Sequence, residues 1–319
     1  MTILKMLHEN YNHPIDTPLD TLKLQVDRSL IHVQGEDASK FLQGILTQDI
    51  RKLSIHNSIY SAMLTPQGKY ITDFFVIYCA EDSMYIDVSS DSASHLYDIL
   101  TMYKLNCNVN LTYMTCKVHL VFSKSLVENY INVDKKNNGY TVTYTDATTI
   151  IVDPRNNHLG LRLYNLNAPY QIGTMDESDN VSKELANIHD GNINEYDYLR
   201  ISLKIPSAKS ELIPYTSYIT EVGFIHANGV SFDKGCYIGQ EVVARMRHKT
   251  TPRKSLYRIH STTMHSPLQS GSDILQHNHP IGKITSASSE IGLAILDNRK
   301  LDLKECCRTQ NDIALYISQ

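Results

Sequence analysis

The sequence predicts an α+β protein that ends in an all-β domain, and three observations carry that prediction. The first hundred or so residues alternate strand-like and helix-like patterns. From position 112 to 163 short β-rich runs follow one another between polar turns. From about Pro252 the runs SLYRIHS, PIGKITSAS, IGLAILD and DIALYIS have the spacing of a small antiparallel barrel or sandwich.

Taken in order, Leu30-Ile31-His32-Val33 reads as a short strand ending at Gly35. Asp37 is placed to cap a helix whose apolar face holds Phe41, Leu42, Ile45 and Leu46. Two strand-like runs then flank Thr65-Pro66-Gln67-Gly68, where proline second and glycine fourth suit a type I turn. This is the pattern of an antiparallel hairpin. Residues 84–88 form another strand. A helix over 92–105 shows Leu96, Ile99, Leu100 and Tyr103 on one face. In the middle segment VHLVF, YTVTYT, TTIIVD and LGLRLY are short strands, and GTMDESDNVSKE reads as an exposed loop. A helix over 195–205 is stopped by Pro206.

The chain has 319 residues, 42% of them hydrophobic, which suffices for two or three domains with sizeable cores. A formal net charge of -4 gives no general field for nucleic acid or an anionic membrane. The start, MTILKMLHENYNHPID, meets His8, Glu9 and Asn10 before a signal-like apolar core forms, and it lacks the arginine richness of a transit peptide. The strongest apolar run, 74–80, is far shorter than the roughly 20 residues that cross a bilayer. These features lead to the expectation of a soluble cytoplasmic protein without membrane or nucleic-acid partners. The six cysteines, Cys79, Cys107, Cys116, Cys236, Cys306 and Cys307, contain no C-x-x-C pair and no zinc-finger spacing. Reduced, mostly packed thiols are expected, including at Cys306 and Cys307. His277 and His279, followed by proline, read as a polar loop rather than a ligand pair.

One segment carries chemistry: Lys234-Gly235-Cys236-Tyr237-Ile238-Gly239-Gln240-Glu241. Gly235 and Gly239 allow a sharp path and close approach of another group. Residues 240–247 can begin a helix with Val242, Val243 and Met246 on its apolar side. Cys236 would then lie ahead of a helix N-terminus and beside Lys234, both of which favour a thiolate, the reactive and iron-binding form. The competing reading is a packed small hydrophobe. Asp73 is the second candidate. On its strand it shares a face with Ile71, Phe75 and Ile77, where a carboxylate is costly unless paired, functional or solvated at an open cavity.

K-G-C-Y-x-G-Q-E followed by V-x-A-R resembles the signature of the YgfZ branch of the glycine-cleavage T-protein-like family. Other blocks agree in order along the chain. Val33-Gln34-Gly35-Glu36-Asp37-Ala38, Phe41-Leu42-Gln43-Gly44 and Thr47-Gln48-Asp49 resemble its opening. Leu64-Thr65-Pro66-Gln67-Gly68-Lys69 through Asp73-Phe74 resembles its second block. Leu199-Arg200-Ile201, Ile205-Pro206 and Glu211-Leu212-Ile213-Pro214 resemble its third. Gly282-Lys283-Ile284-Thr285-Ser286 and Gly292-Leu293-Ala294 resemble its C-terminal domain.

The resemblance implies three domains around a central opening where tetrahydrofolate can sit, with a C-terminal antiparallel β-barrel. Residues 1–110, continued by 190–250, would form the N-terminal folate-binding domain. Residues 111–189 would be an inserted middle domain, and 251–319 the barrel. It implies a factor for assembly or repair of iron–sulfur proteins, acting through Cys236 and partnered by iron–sulfur carrier or client proteins. A transient cluster would be shared with a partner, because one cysteine cannot supply the usual four ligands. Candidate cofactor contacts are Arg28, Tyr198, Glu211, Lys234, Tyr237, Gln240, Glu241 and Arg245. The alternative is a tetrahydrofolate-dependent aminomethyltransferase-like enzyme using Asp73, and a third reading is a folate-sensing module without chemistry. The sequence departs from the family pattern at Lys204, where glycine is common, and at Asn106, where arginine is common. It has no tryptophan to stack on folate. Arg28 stands in one equivalent place, and Tyr196 or Tyr198 could offer an aromatic face. Arg245, Arg247, His248, Lys249, Arg253 and Lys254 form a basic cluster open to three readings: a folate glutamate tail, a nucleic-acid patch or a solvated face.

Overall fold

The structure is a computed structural model that describes residues 21–123, 138–143, 148–165, 188, 190–248, 252–263 and 266–318. The N-terminal segment, the polar stretch 173–184 and Lys249 lie outside the described residues.

The expected strand at Leu30–Val33 is the end of a longer one, β1 (Thr21–Gln34), which pairs with β5 (Asn110–Ser123) along its whole length. On its other side β1 meets β4 (Ser83–Ser89), then β3 (Tyr70–Ala80) and β2 (Ile59–Leu64). Beyond β5 lie β8 (Leu161–Asn165), β7 (Thr148–Val152) and β6 (Thr141–Thr143), completing one eight-stranded sheet. The predicted hairpin joins β2 and β3. Gly68 N–H closes the turn on the Thr65 carbonyl at 2.8 Å.

Two helices cover one face of this sheet. α1 (Ala38–Gln43) stops earlier than its apolar pattern implies; Ile45 and Leu46 are buried in the turn beyond it. Asp37 makes no capping bond to α1, and its carboxylate accepts the Asn108 N–H at 2.8 Å. α2 (Ser90–Tyr103) buries Leu96, Ile99 and Leu100 as expected, but Tyr103 at its last turn is 41% exposed. The opposite face of the β2–β3 hairpin packs under α3 (Ile193–Ser202), the segment 205–230 and α4 (Gln240–His248). α3 begins with a capping box in which Asn192 and Glu195 bond each other's backbone.

A register shift at Met63/Leu64 corrects the expected surroundings of Asp73. The bulge turns Ile71 into the helix-covered core and leaves Tyr70 on the other side, in one apolar cluster with Tyr60 and Phe75.

The C-terminal strands close a six-stranded antiparallel barrel in the order β10-β11-β12-β9-β14-β13. β9 (Lys254–Ser261), β11 (His279–Ser288), β12 (Ile291–Asp297) and β14 (Ala314–Ser318) match the four predicted runs. β10 (Asp273–Gln276) and β13 (Cys307–Thr309) are additional. His277 and Asn278 form the β10–β11 turn, both with positive φ. Cys307 is buried in β13 and Cys306 is exposed. Tyr198 and Ile201 of α3 pack on Leu256, Ile291 and Leu293 of the barrel. Among the described residues no helix is long and apolar enough to cross a membrane.

Candidate functional site

The motif segment is docked onto the turn that follows α1, so two of the blocks quoted above meet in space. Thr47 Oγ1 donates to the Gly229 carbonyl at 2.6 Å, and Gln48 Nε2 donates to the Asn228 carbonyl at 2.6 Å. Ser231 N–H donates to Thr47 O at 3.0 Å, and Ile238 N–H to Gly44 O at 3.2 Å. Between these fixed points the chain alternates. Lys234 is 6% and Tyr237 7% exposed, whereas Gly235 and Cys236 face solvent. Cys236 is a free, exposed thiol four residues before Gln240, the first residue of α4.

Of the two glycines, Gly239 makes the expected close approach and Gly235 does not. Gly239 has φ +81°, and a Cβ there would stand 2.6 Å from the Thr65 carbonyl oxygen, so the motif and the hairpin turn touch backbone to backbone. At Gly235 an added Cβ would meet nothing within 4 Å, so this glycine serves no close approach.

Lys234 corrects a further expectation. Its ammonium does not flank the thiol. It points inward and donates to three main-chain carbonyls, Gln43 at 2.8 Å, Leu46 at 2.5 Å and Gln48 at 3.0 Å. Burial lowers its pKa to about 8.

Asp73 sits under two tyrosines. Tyr60 Oη donates to one carboxylate oxygen at 2.7 Å and Tyr70 Oη to the other at 2.5 Å. Burial first, and the Asp73 charge second, raise both phenol pKa values. Both tyrosines therefore stay protonated donors. Tyr60 also lines a cavity of about 520 Å³ whose polar walls include Gln48, Lys52, Asn57, Asn138 and Asn228. Neither tyrosine was marked by the sequence. Their signal was one aromatic residue diagonal to an inward carboxylate across the hairpin, where Tyr60 pairs with Phe75 and Ala62 with Asp73, and another three residues before it, and the bulge hid it.

Behind this pair lies a charged network that the sequence reading missed. Asp87, fully buried, accepts from Arg28 Nε at 2.6 Å, Arg162 at 2.9 Å and Tyr164 Oη at 2.6 Å. Burial alone would raise the Asp87 pKa; Arg28 and Arg162 outweigh it and hold the carboxyl below its usual range. Arg155 binds Asp153 at 2.7 Å and Tyr196 Oη at 2.7 Å. The Arg162 guanidinium lies 3.9 Å from the Phe75 ring centroid. The visible signals were single charges inside apolar runs, Asp87 in MYIDVSS and Arg162 in LGLRLY.

The eight expected cofactor contacts do not converge. Arg28 is engaged by Asp87. Glu211 is sealed at 0% exposure and accepts from Ser207 N–H at 2.9 Å and Ser286 Oγ at 2.6 Å, tying the third block to the barrel. Lys234 is bound to carbonyls, Tyr237 is core, and Tyr198 packs on the barrel. Gln240, Glu241 and Arg245 lie on α4, with Glu241 and Arg245 exposed. As a set, these residues do not fit a pteridine with a glutamate tail. The basic cluster also divides: Arg247 stacks 3.6 Å from the Phe232 ring centroid and Arg253 reaches Asp297 in the barrel. Among the described residues no group of three or more histidine, cysteine or acidic side chains is placed to hold a metal.

These features define a protein of the aminomethyltransferase T-protein fold with a terminal barrel. Residues 28–123 match the family model of the GCVT N-terminal domain. The glycine cleavage system aminomethyltransferase T of Bartonella henselae superposes with a TM-score of 0.78 over 95% of this chain and 86% of that one, at 15% identity. In sequence the chain is similar to the mitochondrial iron–sulfur cluster assembly factor IBA57 and its homologues. Identity is 29% over 240 residues with the Neurospora crassa homologue, covering 72% of this chain and 51% of that one. It is 25% with that of Dictyostelium discoideum, covering 73% and 60%. It is 26% with that of Homo sapiens, covering 86% and 76%. The chain thus spans half to three fifths of the first two relatives.

Proposed function

We propose that this protein is a factor for the assembly or repair of iron–sulfur proteins, of the YgfZ type, working through Cys236 with iron–sulfur carrier or client proteins. The observation that carries the reading is the presentation of Cys236. A free, exposed thiol stands with Gly235 between two buried side chains, Lys234 and Tyr237. Similarity to iron–sulfur assembly factors supports it. A lone exposed thiol suits a cluster handed over between proteins, with the remaining ligands supplied from outside this site. The cluster is cargo here, not a resident group. The chemistry needs a reducing compartment, which free thiols at all six cysteines fit. The cytoplasm meets that need, and so does the mitochondrion named for the relatives.

Tetrahydrofolate, which the family resemblance implies, enters this reading at the cavity that Tyr60 lines. The second reading, an aminomethyltransferase-like enzyme, rests on Asp73, a carboxylate with two tyrosine donors, one of which, Tyr60, also lines the cavity.

Complementation of a strain lacking its own factor tests both, with the activity of iron–sulfur enzymes as readout and Cys236→Ser and Asp73→Ala in parallel. Loss with Cys236→Ser and retention with Asp73→Ala is the expected result. The reverse pattern replaces the assembly reading with the transferase reading. Calorimetric titration of tetrahydrofolate into wild type and Asp73→Ala reads the ligand separately. Absence of heat in the wild type removes folate and leaves the Cys236 reading standing.

A further inference from the structure

We infer that Lys234 is the positioning residue of the motif: its buried ammonium is the pin that holds Gly235 and Cys236 off the surface. The inference rests on the Cys236 reading and adds the device that places the thiol.

An ammonium carries three N–H donors, and Lys234 has three carbonyl acceptors at 2.5–3.0 Å, so its donor capacity is filled by the main chain alone. Those carbonyls belong to Gln43, Leu46 and Gln48, spread over the end of α1 and the turn after it. A helix end leaves carbonyls without intrahelical partners, and a cation there is doubly favoured by hydrogen bonding and by the dipole. The lysine stem spans from the motif to this oxygen site, while on the other side of Cys236 Tyr237 is buried in the apolar cluster that also holds Leu64, Tyr70 and Val243. The Ile238 N–H bond to Gly44 completes the second anchor. A Cβ built on Gly235 would meet nothing within 4 Å, so the exposed pair is held by the anchors on either side of it and not by packing at Gly235. Arg51, whose guanidinium reaches the Asp233 carbonyl at 3.5 Å, is mostly solvated and paired with Asp49, so it does not replace the pin.

The lysine therefore acts by placement rather than as a charge beside sulfur. Removing it leaves three inward carbonyls without a donor, a defect that a small alkylammonium ion can repair and a purely apolar filler cannot.

The experiment is hydrogen exchange on full-length protein, wild type and Lys234→Ala, with and without added n-propylammonium. Lys234→Ala is expected to lose about ten-fold or more of the protection at the Ile238 amide while barrel amides keep theirs. n-Propylammonium is expected to restore it, and sodium chloride at equal ionic strength is not. Unchanged Ile238 protection in the variant overturns the inference. So does a loss shared equally by the barrel that n-propylammonium fails to reverse. Lys234→Gln, which keeps two donors, supplies the folded comparison if the alanine variant precipitates. Its Ile238 protection should lie below wild type, and full wild-type protection there also overturns the pin. None of these readouts depends on iron–sulfur activity, so the proposed function can fail while the pin stands, and the reverse.

Discussion

At the scale of single residues, the site is a pair of unlike arrangements: one side chain thrust outward and one drawn inward. Cys236 is exposed together with Gly235, between the buried side chains of Lys234 and Tyr237. Asp73 is half-buried and its two oxygens are met by Tyr60 and Tyr70. A carboxylate that accepts two phenolic hydrogen bonds is a structural element whatever else it does. Asp73→Asn should therefore lower stability by roughly 1–3 kcal/mol, because the amide keeps one acceptor oxygen where two hydroxyls now donate, and both charge-assisted bonds are lost. Tyr70→Phe removes one of these donors and also the acceptor of the Asp73 N–H at 3.1 Å, so it should cost at least as much. Urea unfolding reads both variants, and a Tyr70→Phe protein as stable as wild type refutes the pairing of Tyr70 with Asp73. The sequence exposed Cys236 and Asp73 as chemically odd in their surroundings, and both stand at structured positions. What it could not show was direction. Lys234 lies two residues from Cys236 in the chain, and proximity along the chain suggested a charge beside a thiol. The side chain turns inward because three carbonyls, one at the end of α1 and two in the turn after it, accept its ammonium there, a long-range fact invisible in the motif itself.

At the scale of elements, backbone conformation explains one family departure and sharpens a glycine. Lys204, where relatives of the resembled family favour glycine, has φ +57° just after α3. A left-handed residue with a Cβ is strained by about 1 kcal/mol, offset in glycine by a larger loss of chain entropy. Lys204→Gly should be neutral within about 1 kcal/mol. Gly239→Ala has the opposite prospect. Its φ is +81° and the new Cβ would meet the Thr65 carbonyl oxygen at 2.6 Å. The β2–β3 turn and α4 must separate, at a cost of roughly 2 kcal/mol or more. Chemical denaturation with matched slopes reads both, and a Gly239→Ala protein as stable as wild type refutes the backbone contact. Elements with their own local signal were legible: the Pro-Gly hairpin, α2, α3 and four barrel strands. β10 and β13, of four and three residues, carry too little pattern to read. The Met63/Leu64 bulge shifts one strand's faces with no mark in composition, and with it the partner of Asp73 changes from Ile71 to Tyr70.

At the scale of the whole molecule, charge burial links the sheet, α3 and the barrel into one acid-sensitive body. Burial lowers the pKa of His32 in β1, His119 in β5, His226 in the segment before the motif and His260 in β9. For His260 burial acts first and the charge of Arg258 second, and the value falls to about 4 from 6.5. The sign follows from proton counts. Between about pH 6.5 and about pH 4 the unfolded chain takes up a proton at this histidine that the folded chain refuses. Stability is therefore complete above pH 6.5 and declines as the pH falls toward 4, by on the order of 3 kcal/mol for His260 alone. A second decline is separated from the first. Asp87 and Asp153 are both held below their ordinary range, by arginines that outweigh burial. Their contribution persists down to the ordinary carboxylate range and is lost only as the pH falls below it. Lower still, protonation dismantles the network that ties β1 and β4 to β8 and, through Arg155 and Tyr196, to α3. Urea midpoints measured by circular dichroism from about pH 8 to about pH 3 should show two slopes. His260→Gln should flatten the upper slope and leave the lower one. Asp87→Asn, which removes the titrating carboxylate at the cost of a weakened buried network, should lower stability at all pH values above the carboxylate range and flatten only the lower slope. A His260→Gln protein with the wild-type upper slope would refute the assignment, since the proton deficit must then reside at the other three histidines.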